Sequence, residues 1–98
     1  MKVFYTPEVV EFTERLSRQD YARFDRTRKI FERYGFQVGQ KFIKKVTISG
    51  IWELRAGNIR LFLGIKRDRA IGVHIIHKKT QKLPIKDIKL AEKRFRKL

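Results

Sequence analysis

The 98-residue chain has no cysteine, two prolines, six glycines and only 10 acidic residues against 25 Lys and Arg. Without thiols there is no disulfide framework, no thiolate metal site and no cysteine nucleophile, so packing and backbone hydrogen bonds must hold the fold. No window approaches the roughly 20 apolar residues of a membrane span, and the stretch Met1 to Glu8 lacks the apolar run of a signal peptide. A cytoplasmic protein with no membrane partner is expected. What the chain does have is eight Phe, three Tyr and one Trp. Together with Ile, Leu and Val they supply one modest core, and the length suits a single domain over residues 1–98.

The positive charge is unevenly placed. Residues 1–40 carry a net +2, whereas residues 41–98 carry 17 basic and four acidic residues, a net +13. A field of that size attracts polyanions, nucleic acid first and an acidic protein segment second.

Val3, Phe4 and Tyr5 favour a short strand. Thr6-Pro7-Glu8 then reads as a helix start, with Thr6 as N-cap and Pro7 at the first helical position. Val9, Phe12 and Leu16 form one apolar stripe. Ser17 restarts the pattern, and Tyr21, Phe24, Phe31 and Tyr34 fall near one face before Gly35 stops the second helix. Residues 35–50 show no clean period and read as a connector with one short turn.

From Ile51 the period becomes two, giving three strands. Gly57-Asn58 suits a two-residue hairpin loop, which pairs Ala56 with Ile59 and Arg55 with Arg60. Treating Arg67-Asp68-Arg69 as the second turn places Ile65 opposite Ile71 and Phe62 opposite His74. One face is then nearly all apolar and should be covered by the α-hairpin. The other collects Glu53, Arg55, Arg60, Phe62, His74, Ile76 and Lys78. A basic helix follows Pro84, with Ile85, Ile88, Ala91, Phe95 and Leu98 as its buried stripe. The expected fold class is α+β, ordered β-α-α-β-β-β-α on an antiparallel sheet.

A sheet face lined with Glu, Arg, His and Lys suggests chemistry on RNA. Cutting RNA without a metal requires proton transfer, cations at the phosphate and a hold on the nucleotides. Glu53 or His74 can transfer protons, Arg55 and Arg60 can grip a phosphate, and Phe62 has a ring suited to stacking on a base. One carboxylate and two imidazoles spread along strands make a poor ligand set, so neither metal nor cofactor is expected.

Ile51-Trp52-Glu53-Leu54-Arg55, then Asn58-Ile59-Arg60-Leu61-Phe62, then His74 leading into His77-Lys78-Lys79-Thr80-Gln81-Lys82-Leu83-Pro84, resembles the HigB/Gp49-like branch of the RelE/ParE toxin superfamily. The resemblance implies a RelE-like fold and the toxin of a type II toxin–antitoxin pair. Its implied activity is ribosome-dependent, metal-independent mRNA cleavage by 2′-hydroxyl attack. The implied partners are the 70S ribosome, mRNA and an antitoxin carrying a helix-turn-helix domain. By position, Glu53 and Arg55 fall where RelE-like enzymes place two basic residues, Arg60 on their phosphate-binding arginine, and Lys78 near their late-strand catalytic arginine. The catalytic set is thus Glu53, Arg55, Arg60, His74 and Lys78. Phe62, Lys44, Lys45, Lys79, Thr80, Lys82, Lys89 and Lys93 are expected to hold RNA. The chain departs from the family at His77, usually apolar, and lacks a tyrosine after the last strand, which leaves stacking to Phe62. Two other readings fit the same residues: a ParE-type inhibitor of gyrase, and a small RNA-binding protein without catalysis.

Overall fold

Thr6 and Ser17 begin the two N-terminal helices, Ser17 through a side-chain cap and Thr6 through its backbone carbonyl alone. In the computed structural model, which describes residues 1–98, strand β1 (Lys2–Tyr5) leads through Thr6 into helix α1 (Pro7–Glu14). The Ser17 hydroxyl accepts from the Asp20 amide at 3.1 Å and caps helix α2 (Arg18–Tyr34). Gly35, at φ 62°, ends α2 in a conformation that costs glycine little. Val9, Phe24 and Phe31 are buried; Tyr21 and Tyr34 remain about half exposed.

The stretch expected to be a connector contains two elements. A 3-10 turn (Gly35–Val38) leads to strand β2 (Ile43–Lys45), which pairs antiparallel with β3 (Ile51–Ala56). Three residues are too few to show a period. Only Ile43 turns into the core, and Lys44 and Lys45 stay exposed, as befits a short charged edge strand.

Strands β3, β4 (Ile59–Lys66) and β5 (Arg69–His77) form the centre of a five-stranded sheet ordered β1-β5-β4-β3-β2. The turn Gly57-Asn58 gives the expected register, Ala56 with Ile59 and Arg55 with Arg60. The sheet is mixed rather than purely antiparallel, because β1 runs parallel to β5, with Lys2 opposite Arg69 and Phe4 opposite Ile71. The two helices of the N-terminal hairpin carry the chain away from β1 before the meander begins, so β1 is free to join the far edge in that direction.

The second hairpin departs from its expected register halfway along. Phe62 does face His74, but Leu63 faces Gly72 and Ile65 faces Ala70. Val73 is therefore an extra residue in β5, a β-bulge that puts Val73 and His74 on the same side. The turn shortens to Arg67-Asp68, with Arg67 at φ 59°, the one non-glycine residue of positive φ. That conformation costs an arginine about 1 kcal/mol.

The bulge divides the apolar residues between two cores. On the hairpin side, Val9, Phe24, Phe31, Leu54, Leu61, Leu63 and Ile75 pack together. On the opposite side, Ile51, Phe62, Val73 and Ala91 form a second cluster under helix α3 (Ile85–Arg96), joined by Ile71, Ile76, Ile88 and Phe95. The face expected to be open and polar is thus covered over most of its width by α3. Ile85 and Leu98, expected in the buried stripe of that helix, are 69% and 49% exposed. Ile85 sits in the first turn and Leu98 beyond the last, where the sheet no longer lies beneath the helix.

Gly64 sets how closely α3 approaches, since a Cβ there would lie 2.4 Å from Cε1 of Phe95. Gly64→Ala is expected to push Phe95 outward and to destabilise the fold by about 1–3 kcal/mol. Urea denaturation checks this: an unchanged midpoint would show that α3 does not depend on the contact.

Candidate functional site

Opposed arginines on neighbouring strands repel one another unless an anion lies between them. Arg55 and Arg60 are directly opposed across β3 and β4, and Glu53, two residues before Arg55 on the same face, supplies that anion. Its Oε1 lies 3.0 Å from Arg55 Nε and its Oε2 3.5 Å from Arg60 Nε. Glu53 is 1% exposed, against 12% for the Arg60 side chain and 32% for Arg55. Neither guanidinium Nε aligns with it as a hydrogen-bond donor, so charge attraction carries the contact. Arg60 Nη1 is further fixed by donating to the Gly57 and Ile59 carbonyls. Desolvation, and after it the like charge of Arg55, pulls the Arg60 pKa below the ordinary arginine value, while Glu53 works against both. Arginine starts so high that the group remains cationic at neutral pH.

The end of β5 meets the β3–β4 turn. The Lys78 amide donates to the Asn58 carbonyl at 2.7 Å, extending the strand pairing by one residue. There Asn58, Arg60, Lys78, Lys79, Thr80 and Gln81 line a depression of about 400 Å³ with no apolar residue and no carboxylate in its wall. The Thr80 hydroxyl donates to the Lys82 carbonyl at 2.9 Å and bends the segment. The depression therefore offers one guanidinium, two ammonium groups and neutral donors to a single anionic group.

Of the expected site residues, Arg60, Lys78, Lys79 and Thr80 come together here, with Glu53 and Arg55 directly behind Arg60. His74 does not. Its Nε2 lies 2.7 Å from Asp87 Oδ1 and its Nδ1 3.2 Å from Arg94 Nη1, and its ring stacks on Phe62 at 5.8 Å. Because Arg94 can only donate, Nδ1 accepts and the ring proton sits on Nε2, facing Asp87. Arg94 also donates to the Val73 carbonyl at 3.0 Å, so the group ties α3 to the bulge. The structure thus places His74 away from the depression, where its contacts tie α3 to the sheet.

The expectation that Phe62 stacks on a base is corrected. The residue is fully buried between the sheet and α3 and has no ring face left for a base. Lys44 and Lys45 lie exposed on the β2 edge, Lys44 opposite Glu53; Lys82, Lys89 and Lys93 are exposed. Asn58 and Gln81 were missed. Extending the β4–β5 register by one step from Ile59 and His77 would have placed Asn58 beside Lys78. No grouping of three His, Asp or Glu side chains is arranged to hold a metal ion, and no helix is long and apolar enough to cross a membrane.

Fold and depression together define a small, strongly basic α+β domain with a cationic depression at one end of its sheet. Residues 11–96 match the family described as Phage derived protein Gp49-like. Among solved structures, the chain is similar to an archaeal RelE–RelB complex from Pyrococcus horikoshii OT3, with TM-score 0.67 and 22% identity over 79% of this chain and 93% of that one. No curated protein matches the sequence. The chain belongs to the Gp49-like family, and its fold is RelE-like.

Proposed function

We propose that this protein is the toxin of a toxin–antitoxin pair and a metal-independent endoribonuclease that cuts mRNA on the translating ribosome. The observation that carries the reading is the Arg60 depression, in which Arg60, Lys78 and Lys79 converge with no carboxylate in the wall while a buried Glu53 holds Arg60 from behind. A wall of this kind favours the charge that gathers on a phosphate as it becomes five-coordinate. In the proposed step the 2′-oxygen forms a bond to the adjacent phosphorus and the bond from phosphorus to the 5′-oxygen breaks. The 2′-hydroxyl proton passes to solvent and the Lys78 ammonium protonates the leaving oxygen. The products are a 2′,3′-cyclic phosphate and a 5′-hydroxyl.

Arg60 binds the phosphate, Arg55 adds charge at the rim, and Glu53 positions both guanidiniums. Buried between two cations, Glu53 is poorly placed to reach a 2′-hydroxyl and is assigned no proton transfer. Lys79, Lys82, Lys89 and Lys93, with Lys44 and Lys45 at the edge, hold RNA by charge. The archaeal relative is a RelE–RelB complex; by analogy this chain is restrained by a protein antitoxin, for which a helix-turn-helix domain is proposed from the family resemblance.

Mapping mRNA 5′ ends in a translating extract with and without the protein tests the reading. New ends bearing 5′-hydroxyls are expected only when ribosomes translate. Cuts on free RNA would make it a general ribonuclease, and no cuts would leave a gyrase inhibitor or a non-catalytic RNA binder.

A further inference from the structure

At the Arg60 end of the sheet the opposed arginines are balanced by Glu53. At the other end three cations are opposed with no Asp or Glu paired to them, and only the Lys66 ammonium finds a close oxygen, donating to the Leu98 carbonyl at 2.6 Å. Lys2 on β1 faces Arg69 on β5, and Arg69 faces Lys66 on β4, so the three stand in a row across adjacent strands. All three lie on the face that carries α3: Lys66 Nζ sits 5.9 Å from the Phe95 ring centroid, and the Arg69 guanidinium lies 5.3 Å over the ring of Phe4, itself 43% exposed. Arg67 adds a fourth cation at the tip, in the left-handed conformation where Asn or Gly would sit without strain. Asp68, the one carboxylate of the turn, forms an ion pair with none of them. Two depressions, of about 530 and 660 Å³, flank Arg69 on either side, each with Asp68 as the one carboxylate among the cations of its wall. Opposed like charges and a strained arginine both work against folding, and an external anion relieves the first.

The cationic surface does not stop between the two ends. Helix α3 starts beyond the Arg60 end of β5 and ends with Phe95 over Gly64, beside the hairpin. Lys86, Lys89, Lys93 and Lys97 form an exposed stripe along it at helical spacing. Its two acids are engaged elsewhere, Asp87 with His74 and Glu92 with the Ser49 hydroxyl at 2.6 Å. The result is a basic track roughly 20 Å long, the length of α3. A nucleic-acid backbone carries an unbroken row of charge over such a length, and Phe4 beside Arg69 offers a ring and a guanidinium plane for a base.

We propose that Lys2, Lys66, Arg67 and Arg69 form a second RNA-backbone site, joined to the Arg60 depression by the α3 lysines, so that one RNA strand lies along the whole face. This rests on reading the Arg60 depression as an RNA-phosphate site.

The test is binding of the full chain to a labelled 2′-O-methyl RNA of about 20 nucleotides, which cannot be cut, over a range of salt concentrations. Lys66→Gln/Arg69→Gln should lower the slope of log K against log salt by about 1.4, and Arg67→Asn by about 0.7, each with an affinity loss at low salt. Because Asn accepts positive φ, Arg67→Asn should also melt at or above the wild-type temperature, so its loss of binding is not a loss of fold. Wild-type affinity and slope in both variants would overturn the proposal. So would RNA binding that is kept while binding to polyglutamate is lost, which would assign the hairpin to an acidic protein. Wild-type protein that makes no cuts on the ribosome, yet binds RNA through the hairpin, would remove the nuclease reading and leave the track. Ribosome-dependent cutting with unaffected binding in both variants would remove the track alone.

Discussion

Arg60→Ala should lower ribosome-dependent mRNA cutting by at least about 10²–10³-fold, the usual consequence of removing one donor aimed at developing charge. The fold should survive, because Glu53 keeps Arg55 as its partner at 3.0 Å and the repulsion between the opposed arginines disappears. Primer extension on a reporter mRNA reads the first effect and thermal melting the second. Arg60→Lys restores the charge without the planar fork and should recover part of the activity. Cutting at the wild-type rate by Arg60→Ala, with a wild-type melting curve, would move the active site away from the depression.

Glu53→Ala should act in the opposite order, on stability first. It leaves Arg60 with a side chain 12% exposed and no counter-charge, facing Arg55 directly. Breaking a buried ion pair from one side costs about 3–5 kcal/mol, and the partial exposure of Arg55 puts this case near the lower figure. For a chain of this size the melting temperature should fall by roughly 10–20 °C. The isosteric Glu53→Gln keeps the packing and separates the two roles the residue was given. If Glu53 positions the arginines, cleavage weakens with an unchanged pH profile; if it were the general base, the limb of the profile belonging to its carboxyl would vanish. A stable, fully active Glu53→Ala would show that the arginines need no counter-ion and would remove the account of the site given above.

Much of the meander could be read along the chain because its signals are local. The Gly57-Asn58 loop and the alternation on either side of it allow one register, since a slip of one residue would send Trp52 and Leu54 to the opposite face from Leu61 and Leu63. The pairing of Phe62 with His74 also holds, and with it the opposite facing of His77, which packs on Phe12 at 5.3 Å. The bulge at Val73 was not legible: Ile71, Val73 and Ile75 alternate perfectly in sequence, and only the packing under α3 favours an extra residue there. Strand β2 was hidden by its length, and the parallel course of β1 by the absence of any local mark of which edge it joins.

The site divides in the same way. Arg55, Arg60 and Glu53 share a face by strand parity alone, and Lys78 to Thr80 follow directly on the last strand, so their approach to one another follows from register. His74 and Phe62 have the same parity and a different fate, because α3 covers the middle of that face and leaves only its ends open. Which residues stand together was determined by alternation and turn chemistry, both written in the sequence. Which of them meet solvent was decided by where a distant helix docks, through the contact of Phe95 with Gly64 and the clasp of Asp87 and Arg94 on His74, contacts between residues far apart in the chain that no local pattern records. The scarcity of acidic residues takes on its meaning only in that arrangement: one carboxylate lies beneath the arginines at one end of the sheet, and none is paired with the cations at the other.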